Sequence, residues 1–261
     1  MNVNQPSPTS ITGHVDPFQG MSLPAIYKTL LDGDPGKGTP RWPDEKLQKG
    51  YTGTCGVDLL RRAFDFTGML AKDGAFIPGW RGLDYGCGWG RFGSVMLSRG
   101  APAQFDLADA WPKTLNVLAE LGYSNRVLAV SELLKPGEIP EGEYDFIMSF
   151  SVFTHLSPVA FDTNIPLLLA ALKPGGRFYF TVRHDEFIDH KYADKAAMCR
   201  EVLARDGVLF LDSGGNLGTE KVFGDTVITP DYLASFARQP NTIRYLGQPH
   251  SLQHVYVIEK H

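Results

Sequence analysis

The residues with the clearest capacity for chemistry form one glycine-rich segment, LDYGCGWGR, over residues 83–91. Glycines allow the backbone to turn sharply and let a ligand approach it closely. A turn of this kind that opens a helix also exposes main-chain amides, which donate hydrogen bonds to a ligand. The segment therefore predicts a ligand-binding turn between a strand and a helix.

The acidic residue in this turn indicates which ligand it would bind. Gly88, Gly90 and Gly93 match the G-x-G-x-x-G pattern of dinucleotide sites, which is weak when it stands alone. Asp84 ends the predicted strand, where a carboxylate would repel a pyrophosphate and attract a cationic ligand. S-adenosylmethionine carries an ammonium and a sulfonium group, so the sign of the charge favours it over NAD(P). A purely structural role for Asp84, as a cap of the turn, is the alternative.

A second acidic residue follows the next predicted strand. Asp109 lies about twenty residues beyond the glycines, where a carboxylate can accept hydrogen bonds from both ribose hydroxyls. Sites for nicotinamide dinucleotides and for S-adenosylmethionine share this feature, so Asp109 does not discriminate between them. Asp106 is the second candidate for the role.

The rest of the sequence predicts a fold that positions these residues. Strands are predicted over 81–85, 103–109, 126–131, 144–150 and 177–183, alternating with helices over 91–99, 111–122 and 159–176. Such alternation implies right-handed crossovers and a mostly parallel sheet in an α/β domain. Ligands of these sheets bind beyond the carboxyl ends of the strands. One cleft is therefore expected beside the turns after Tyr85, Ala108, Val130, Ser149 and Val182.

The segments before this core predict an arm and a cap. Residues 1–20 are rich in Pro, Ser, Thr, Asn and Gln, which predicts a flexible arm. Residues 21–79 predict an N-terminal cap segment, with helices over 23–31 and 56–72.

The segments after the fifth strand predict an insertion and a closing pair of strands. Residues 184–228 interrupt the alternation and predict a lid that contains a charged helix over 190–205. A short helix over 229–238 and strands over 241–247 and 254–260 follow. We expect these elements to complete a cofactor-binding domain over residues 80–261.

The composition excludes several classes of protein. Lys and Arg number 25 against 29 Asp and Glu, a formal net charge of −4, which argues against nucleic acid as a partner. The three cysteines, Cys55, Cys87 and Cys199, are odd in number and widely spaced. That pattern fits neither a disulfide framework nor a zinc site and favours a reducing cytoplasm. The sequence shows no signal peptide or membrane span, and it does not indicate an oligomeric state.

Three motifs give the sequence a resemblance to a known family, the class I S-adenosylmethionine-dependent methyltransferases. LDYGCGWGR (83–91) resembles the family's first motif, EYDFIMSFSVFTHL (143–156) its fourth-strand motif, and LKPGGRFYFTV (172–182) its helix and fifth-strand motif. The resemblance covers about residues 80–183. It implies a Rossmann-like, doubly wound α/β fold of about seven strands, the last one antiparallel. It also implies S-adenosyl-L-methionine as cofactor, S-adenosyl-L-homocysteine as product, and a hydroxyl or amine of a small molecule, such as a sugar or secondary metabolite, as methyl acceptor.

The resemblance further implies cofactor-binding roles for individual residues. The methionine part of the cofactor would be lined by Asp84, Gly86, Cys87, Gly88 and Gly90. Asp109 would hold the ribose, with Ala110 beside the adenine.

Other residues would contact the cofactor from elsewhere in the chain. Phe150 and Ser151 follow the fourth strand and would flank the cofactor, and Tyr51 would close over it from the N-terminal side. The family often carries an acidic residue after the third strand to bind the adenine amino group. Here Ser131 stands at that position with Glu132 next, a departure that leaves this contact open.

Three histidines are candidates for the general base. The methyl on a sulfonium is already activated, so the enzyme has to align the acceptor with it and exclude water. Alignment of this kind can lower the activation barrier by roughly 7–11 kcal/mol. A hydroxyl acceptor also needs a base, and the unperturbed pKa of histidine suits that role. His155 follows the fourth strand and His184 the fifth, with His190 a third candidate.

Three other interpretations bear on the function. The chain lacks a complete set of carboxylates after the fourth and fifth strands, so no metal site is predicted. An NAD(P)-dependent oxidoreductase and a non-catalytic S-adenosylmethionine-binding protein remain as alternatives to the methyltransferase.

Overall fold

A computed structural model describes residues 18–33, 40–98, 104–212, 214–215, 217, 221–250 and 252–261. Most of the predicted arm, residues 1–17, lies outside the described residues, as do five residues of the predicted lid, at 213, 216 and 218–220.

Helices and strands alternate through most of the described chain. The strands are β1 (Gly82–Tyr85), β2 (Phe105–Asp109), β3 (Val127–Ala129), β4 (Tyr144–Ser149), β5 (Leu172–Val182), β6 (Val208–Asp212), β7 (Gly224–Ile228), β8 (Thr242–His250) and β9 (Gln253–Glu259). The helices are α1 (Leu23–Asp32), α2 (Glu45–Thr52), α3 (Gly56–Lys72), α4 (Arg91–Ser98), α5 (Pro112–Glu120), α6 (Pro158–Ala171), α7 (Glu186–Lys191), α8 (Ala196–Asp206) and α9 (Pro230–Ala234).

The main sheet has the topology that the sequence predicts. Among the described residues it has seven strands in the order β3-β2-β1-β4-β5-β9-β8. β1, β2 and β3 pair in parallel, as do β4 and β5, whereas β9 is antiparallel to β5. The expected Rossmann-like, doubly wound α/β fold with its last strand antiparallel is therefore confirmed.

The first of two compact units, residues 1–129, carries the glycine-rich turn. Its strands β1 and β2 are buried along their whole length, and α3 packs against α1 and α4. At the start of β2 the buried Asp106 accepts hydrogen bonds from Arg81 (2.9 Å) and Arg126 (2.7 Å). Asp106 therefore ties the beginnings of the strands together, at the opposite end from Asp109.

The second unit, residues 130–261, contains β4, β5, β8 and β9, together with a separate antiparallel pair formed by β6 and β7. The side chains of Phe187, Ile188, Cys199 and Leu209 form a small core that joins α7 and α8 to this pair. The closing strands predicted over 241–247 and 254–260 are present as β8 and β9, which pair antiparallel to each other.

The helix expected over 229–238 ends at Ala234, and two further helix predictions need correction. The helix expected over 159–176 ends at Ala171, because Leu172 is extended and pairs with Tyr144, so Lys-Pro-Gly-Gly belongs to β5. The charged helix expected over 190–205 is broken into α7 and α8, since Tyr192 leaves the helical conformation. Its phenol donates instead to the buried Asp225, at 2.6 Å.

Helix α2 was not predicted from the sequence. Its side chains are mostly polar and exposed, so it lacks an apolar period. The residue that marks its start is Asp44, whose carboxylate accepts from the Leu47 amide at 2.8 Å. No helix in the described part of the chain is long and apolar enough to cross a membrane.

Candidate active site

The glycine-rich segment makes the turn that its sequence predicts. Gly86, Gly88 and Gly90 have φ angles of 73°, 54° and 85°, which favour glycine. The turn is pinned to the end of β2, because the amides of Gly86 and Cys87 both donate to the carbonyl of Ala108, at 2.8 and 3.1 Å. Helix α4 follows directly at Arg91, so the turn stands at a helix N-terminus.

Gly90 is required by contact as well as by backbone angle. A Cβ atom there would overlap the ring of Tyr123, whose hydroxyl donates to the Gly90 carbonyl. The turn therefore packs against the segment that follows α5 and has little freedom to move.

Asp84 lies beneath this turn and is 1% exposed. Its Oδ2 atom has no hydrogen-bond partner among the described residues. Burial raises the pKa of Asp84 to about 8, although the positive charge of Arg91 acts in the opposite direction. A buried acid with a free oxygen at a glycine-rich turn fits a ligand that brings a cationic donor, as S-adenosylmethionine does.

Asp109 ends β2 and holds the backbone on both sides of it. Its Oδ2 atom accepts from the amide of Gly88 at 2.9 Å, and its Oδ1 atom accepts from the amide of Trp111 at 2.9 Å. A carboxylate oxygen can accept a second hydrogen bond. Asp109 can therefore bind ribose hydroxyls while it keeps the turn in place.

Two aromatic residues border the turn. The ring of Tyr51, on α2, lies 3.4 Å from the position that a Cβ atom on Gly88 would take. Its ring centroid is 6.3 Å from that of Trp111, which is 48% exposed and follows the half-buried Ala110. Helix α2, on the N-terminal side, thus brings Tyr51 to the turn. Trp111 was missed, although its position beside Asp109 was a visible indication.

In the second unit, the predicted adenine-contact residues face different surroundings. Ser131 is held by the carboxylate of Glu138, which accepts from its amide (3.0 Å) and from its hydroxyl (2.6 Å). Glu132 is exposed, and its carbonyl accepts from Asn164 at 2.9 Å. Among the described residues, the Ser131 side chain has a hydrogen-bond partner and the Glu132 side chain has none.

Phe150 and Ser151 follow β4, as the motif predicts. Phe150 is half-buried, and Ser151 has a φ angle of 59°, which non-glycine residues adopt rarely. Residues held in this conformation occur often at functional sites.

His155 is bonded at both ring nitrogens. Nδ1 donates to the carbonyl of Gly224 at 2.7 Å, so Nε2 is the unprotonated nitrogen and accepts from Arg183 at 3.1 Å. Its ring stacks on Phe223, with centroids 5.0 Å apart. Burial and the charge of Arg183 lower the pKa of His155 to about 4.

His184 is held in a similar way by different partners. Nδ1 donates to the carbonyl of Ile228 at 2.7 Å, and Nε2 accepts from the Tyr256 hydroxyl at 2.9 Å. Burial lowers its pKa. The ring centroid of His254 lies 4.4 Å from that of His184, and the Nε2 atom of His254 forms a hydrogen bond with Glu186. His190, the third candidate, is exposed on α7.

A buried ionic network behind His155 was not predicted from the sequence. Asp225, on β7, accepts from Arg183 at 2.7 Å and also from Lys191 and Tyr192. Its members come from three separate segments of the chain, at residues 183, 191–192 and 225, so no local pattern marked them. Within the described residues, no group of three or more His, Cys, Asp and Glu side chains could hold a metal ion.

Comparison with known proteins identifies the region that contains the turn. Residues 83–176 match a family model described as a methyltransferase domain. No curated protein matches the chain.

Solved structures resemble the fold. A protein from Pyrococcus horikoshii has a TM-score of 0.58 at 15% identity, covering 84% of this chain and 100% of its own. An S-adenosylmethionine-dependent methyltransferase from Mesorhizobium loti has a TM-score of 0.51 at 16% identity, covering 75% and 98%. The 1,6-didemethyltoxoflavin-N1-methyltransferase of Burkholderia thailandensis, with 1,6-didemethyltoxoflavin and S-adenosylhomocysteine bound, has a TM-score of 0.52 at 18% identity, covering 82% and 84%. At these identities the likeness establishes the fold.

Proposed function

We propose that the chain, whose residues 83–176 match a methyltransferase domain, is a class I S-adenosylmethionine-dependent methyltransferase that transfers the methyl group to a hydroxyl or amine of a small molecule, such as a sugar or secondary metabolite. The observation that carries the cofactor assignment is the free Oδ2 atom of Asp84, buried beneath the glycine turn. Bound S-adenosylmethionine supplies an activated methyl group there.

The residues of the first unit divide the work of holding the cofactor. Gly86, Cys87, Gly88 and Gly90 would present main-chain groups to its methionine part beside Asp84. Asp109 would hold the ribose, and Ala110 with Trp111 would contact the adenine, since a large exposed aromatic face is suited to stacking on a base. Tyr51 would exclude water from the turn.

The residues of the second unit would serve the cofactor and the acceptor. Phe150 and Ser151 would flank the cofactor. Glu132 rather than Ser131 would contact the adenine amino group, because the Ser131 hydroxyl is already bonded to Glu138.

Of the two candidate bases, His184 is favoured by its partners. The Nε2 atom of His155 accepts from the guanidinium of Arg183, which can act only as a donor there. The charge of Arg183 also lowers the pKa of His155. The Nε2 atom of His184 instead faces the hydroxyl of Tyr256, which can rotate away and release the lone pair. We therefore assign the acceptor proton to His184, and to His155 the role of holding the loop after β4.

A small acceptor is supported by the charge and by one structural neighbour. The net charge of −4 provides no basic excess for a phosphate backbone. The Burkholderia methyltransferase binds a small heterocyclic compound. Three free cysteines in the described residues support action in a reducing cytoplasm.

The cofactor assignment is tested by calorimetric titration with S-adenosylhomocysteine, with NADH titrated in parallel. Saturable binding of S-adenosylhomocysteine is expected, reduced in Asp84→Asn and Asp109→Asn and unchanged in the exposed Asp58→Asn. Binding of NADH alone would overturn the assignment.

The acceptor class is tested by measuring S-adenosylhomocysteine release with panels of sugars, phenols, amines and short RNAs. Turnover confined to the small molecules, and lowered about a hundredfold or more in His184→Gln when the acceptor is a hydroxyl, is expected. Turnover with RNA alone, or a loss confined to His155→Gln, would contradict the proposal.

A further inference from the structure

The turn after β4 contains a strained serine that is tied down from two other strands. The amide of Ser151 donates to the Thr181 hydroxyl on β5, at 2.7 Å. The Nε2 atom of Gln253, at the start of β9, donates to the Ser151 hydroxyl at 3.1 Å. The Ser151 hydroxyl also lies 3.3 Å from that of Thr154.

These bonds are what hold Ser151 in its left-handed conformation. A residue with a Cβ atom is strained there relative to the right-handed helical region. Such a conformation persists only where the surroundings over-determine it. Of the three contacts, the one from Gln253 is the only one that comes from the β8–β9 hairpin, more than a hundred positions further along the chain.

The last residue of β4 and the side chain that ties Ser151 down each carry an unsatisfied polar atom. The Oε1 atom of Gln253 and the hydroxyl of the fully buried Ser149 are both buried and have no hydrogen-bond partner among the described residues. Native proteins leave few such groups unpaired, because each one loses its hydrogen bonds to water. Packing alone would favour an apolar side chain at residue 253. The amide therefore bonds Ser151 with one end and leaves the other end open for a donor.

We propose that Gln253 is a positioning residue for the cofactor: it fixes Ser151 so that the turn 150–151 presents its polar groups to S-adenosylmethionine. The proposal rests on the proposed function, because it takes from it the contact between Ser151 and the cofactor. It extends that function by giving the β8–β9 hairpin a part in cofactor affinity, through one hydrogen bond.

The experiment measures the affinity for S-adenosylhomocysteine by calorimetry, together with the thermal unfolding midpoint of each variant. Gln253→Leu should weaken binding roughly five- to tenfold, the effect of losing one hydrogen bond. Gln253→Glu keeps the length and an oxygen that can accept from the Ser151 hydroxyl, so it should recover most of the affinity. Gln248→Leu, the same substitution at an exposed position of the hairpin, should bind as the wild type does.

A double-mutant cycle tests whether Gln253 acts through Ser151. Ser151→Gly relieves the backbone strain and removes the hydroxyl, so Gln253→Leu should have no further effect in that background. Additive losses in the double variant, or wild-type affinity in Gln253→Leu, would overturn the proposal and leave the methyltransferase function intact. If Gln253→Leu does not fold, Gln253→Ala, which also removes the amide, replaces it in both backgrounds with the same expected results. A wild-type protein that fails to bind S-adenosylhomocysteine would overturn both.

Discussion

Binding of the cofactor should release a proton from Asp84. Burial raises the pKa of the Asp84 carboxyl to about 8, so this carboxyl is protonated in most copies of the protein at neutral pH. Arg91, the nearby positive charge, has its pKa lowered to about 9 by burial and stays protonated at that pH. The ammonium group, which S-adenosylhomocysteine keeps, interacts far more favourably with the ionised form of Asp84 than with the neutral form. Association must therefore remove the proton.

The size of the effect follows from the pKa. With a pKa of about 8, roughly 1% of Asp84 is ionised at pH 6, about 9% at pH 7 and about half at pH 8. If only the ionised form binds the cation, the apparent affinity for S-adenosylhomocysteine rises about fiftyfold between pH 6 and pH 8. At pH 7, about 0.9 proton leaves the protein for each molecule bound.

Calorimetry in two buffers of different ionisation enthalpy measures the released proton directly, and titrations from pH 6 to pH 8 give the slope. Asp84→Asn resembles the protonated form and cannot ionise, so its affinity should be independent of pH over this range and its proton release should be near zero. Asp58→Asn, on the exposed face of α3, should keep the wild-type slope. Wild-type binding without proton release, or a slope that survives in Asp84→Asn, would refute the reasoning.

Three further predictions concern the turn and the loop after β4. Gly90→Ala should lower the free energy of unfolding by about 2–5 kcal/mol, because strain is added to overlap with Tyr123, whereas Gly79→Ala, with a φ of +88° and open space around it, should lose only about 1–2 kcal/mol in urea unfolding. Asp109→Asn should leave one of two backbone amides unpaired, so unfolding becomes easier by about 1–3 kcal/mol and calorimetry should show weaker binding of S-adenosylhomocysteine; unchanged values in both measurements would contradict the geometry. The folded-state pKa of His155 is lowered to about 4 from 6.5, so its contribution is present above pH 6.5 and is lost as the pH falls through 4. Between pH 7 and pH 4 this titration should lower the free energy of unfolding of the wild type by up to about 3 kcal/mol, and His155→Gln should not show that decrease. Equal decreases in both proteins would refute the assignment of a neutral ring.

The centre of the sheet could be predicted because β1, β2 and nearly all of β4 are buried and therefore appear in the sequence as short apolar runs between turns. β1, β2 and β4 begin or end within two residues of their predicted bounds. The helix before β5 was drawn five residues too long, since LKPGG resembles a helix ending in a glycine cap. Pairing of Leu172 with Tyr144 turns the same residues into a strand, and pairing between distant residues leaves no local pattern.

The candidate site was predicted where one segment supplies its residues and was incomplete where distant segments meet. The glycine turn and Asp109 are each explained by their neighbours in sequence. The states of His155 and His184 depend on Gly224, Arg183 and Ile228, and on the hydroxyl of Tyr256, which a sequence motif does not specify. Gln253 could not be predicted for the same reason, because its role depends on its contact with the distant Ser151.

The burial of Asp84 changes why this turn discriminates between ligands. As an ionised carboxylate at the end of a strand, Asp84 would repel a pyrophosphate by its charge, which is what the sequence indicated. In the folded chain it is protonated at neutral pH and, in that form, could donate a hydrogen bond to a phosphate oxygen. Selectivity then comes from the response to the ligand: a cation lowers the pKa of Asp84 and gains a buried ion pair, whereas an anion raises it and gains one hydrogen bond. The two classes of ligand should therefore show opposite dependence of affinity on pH, with that of S-adenosylhomocysteine rising towards pH 8 and that of any dinucleotide falling.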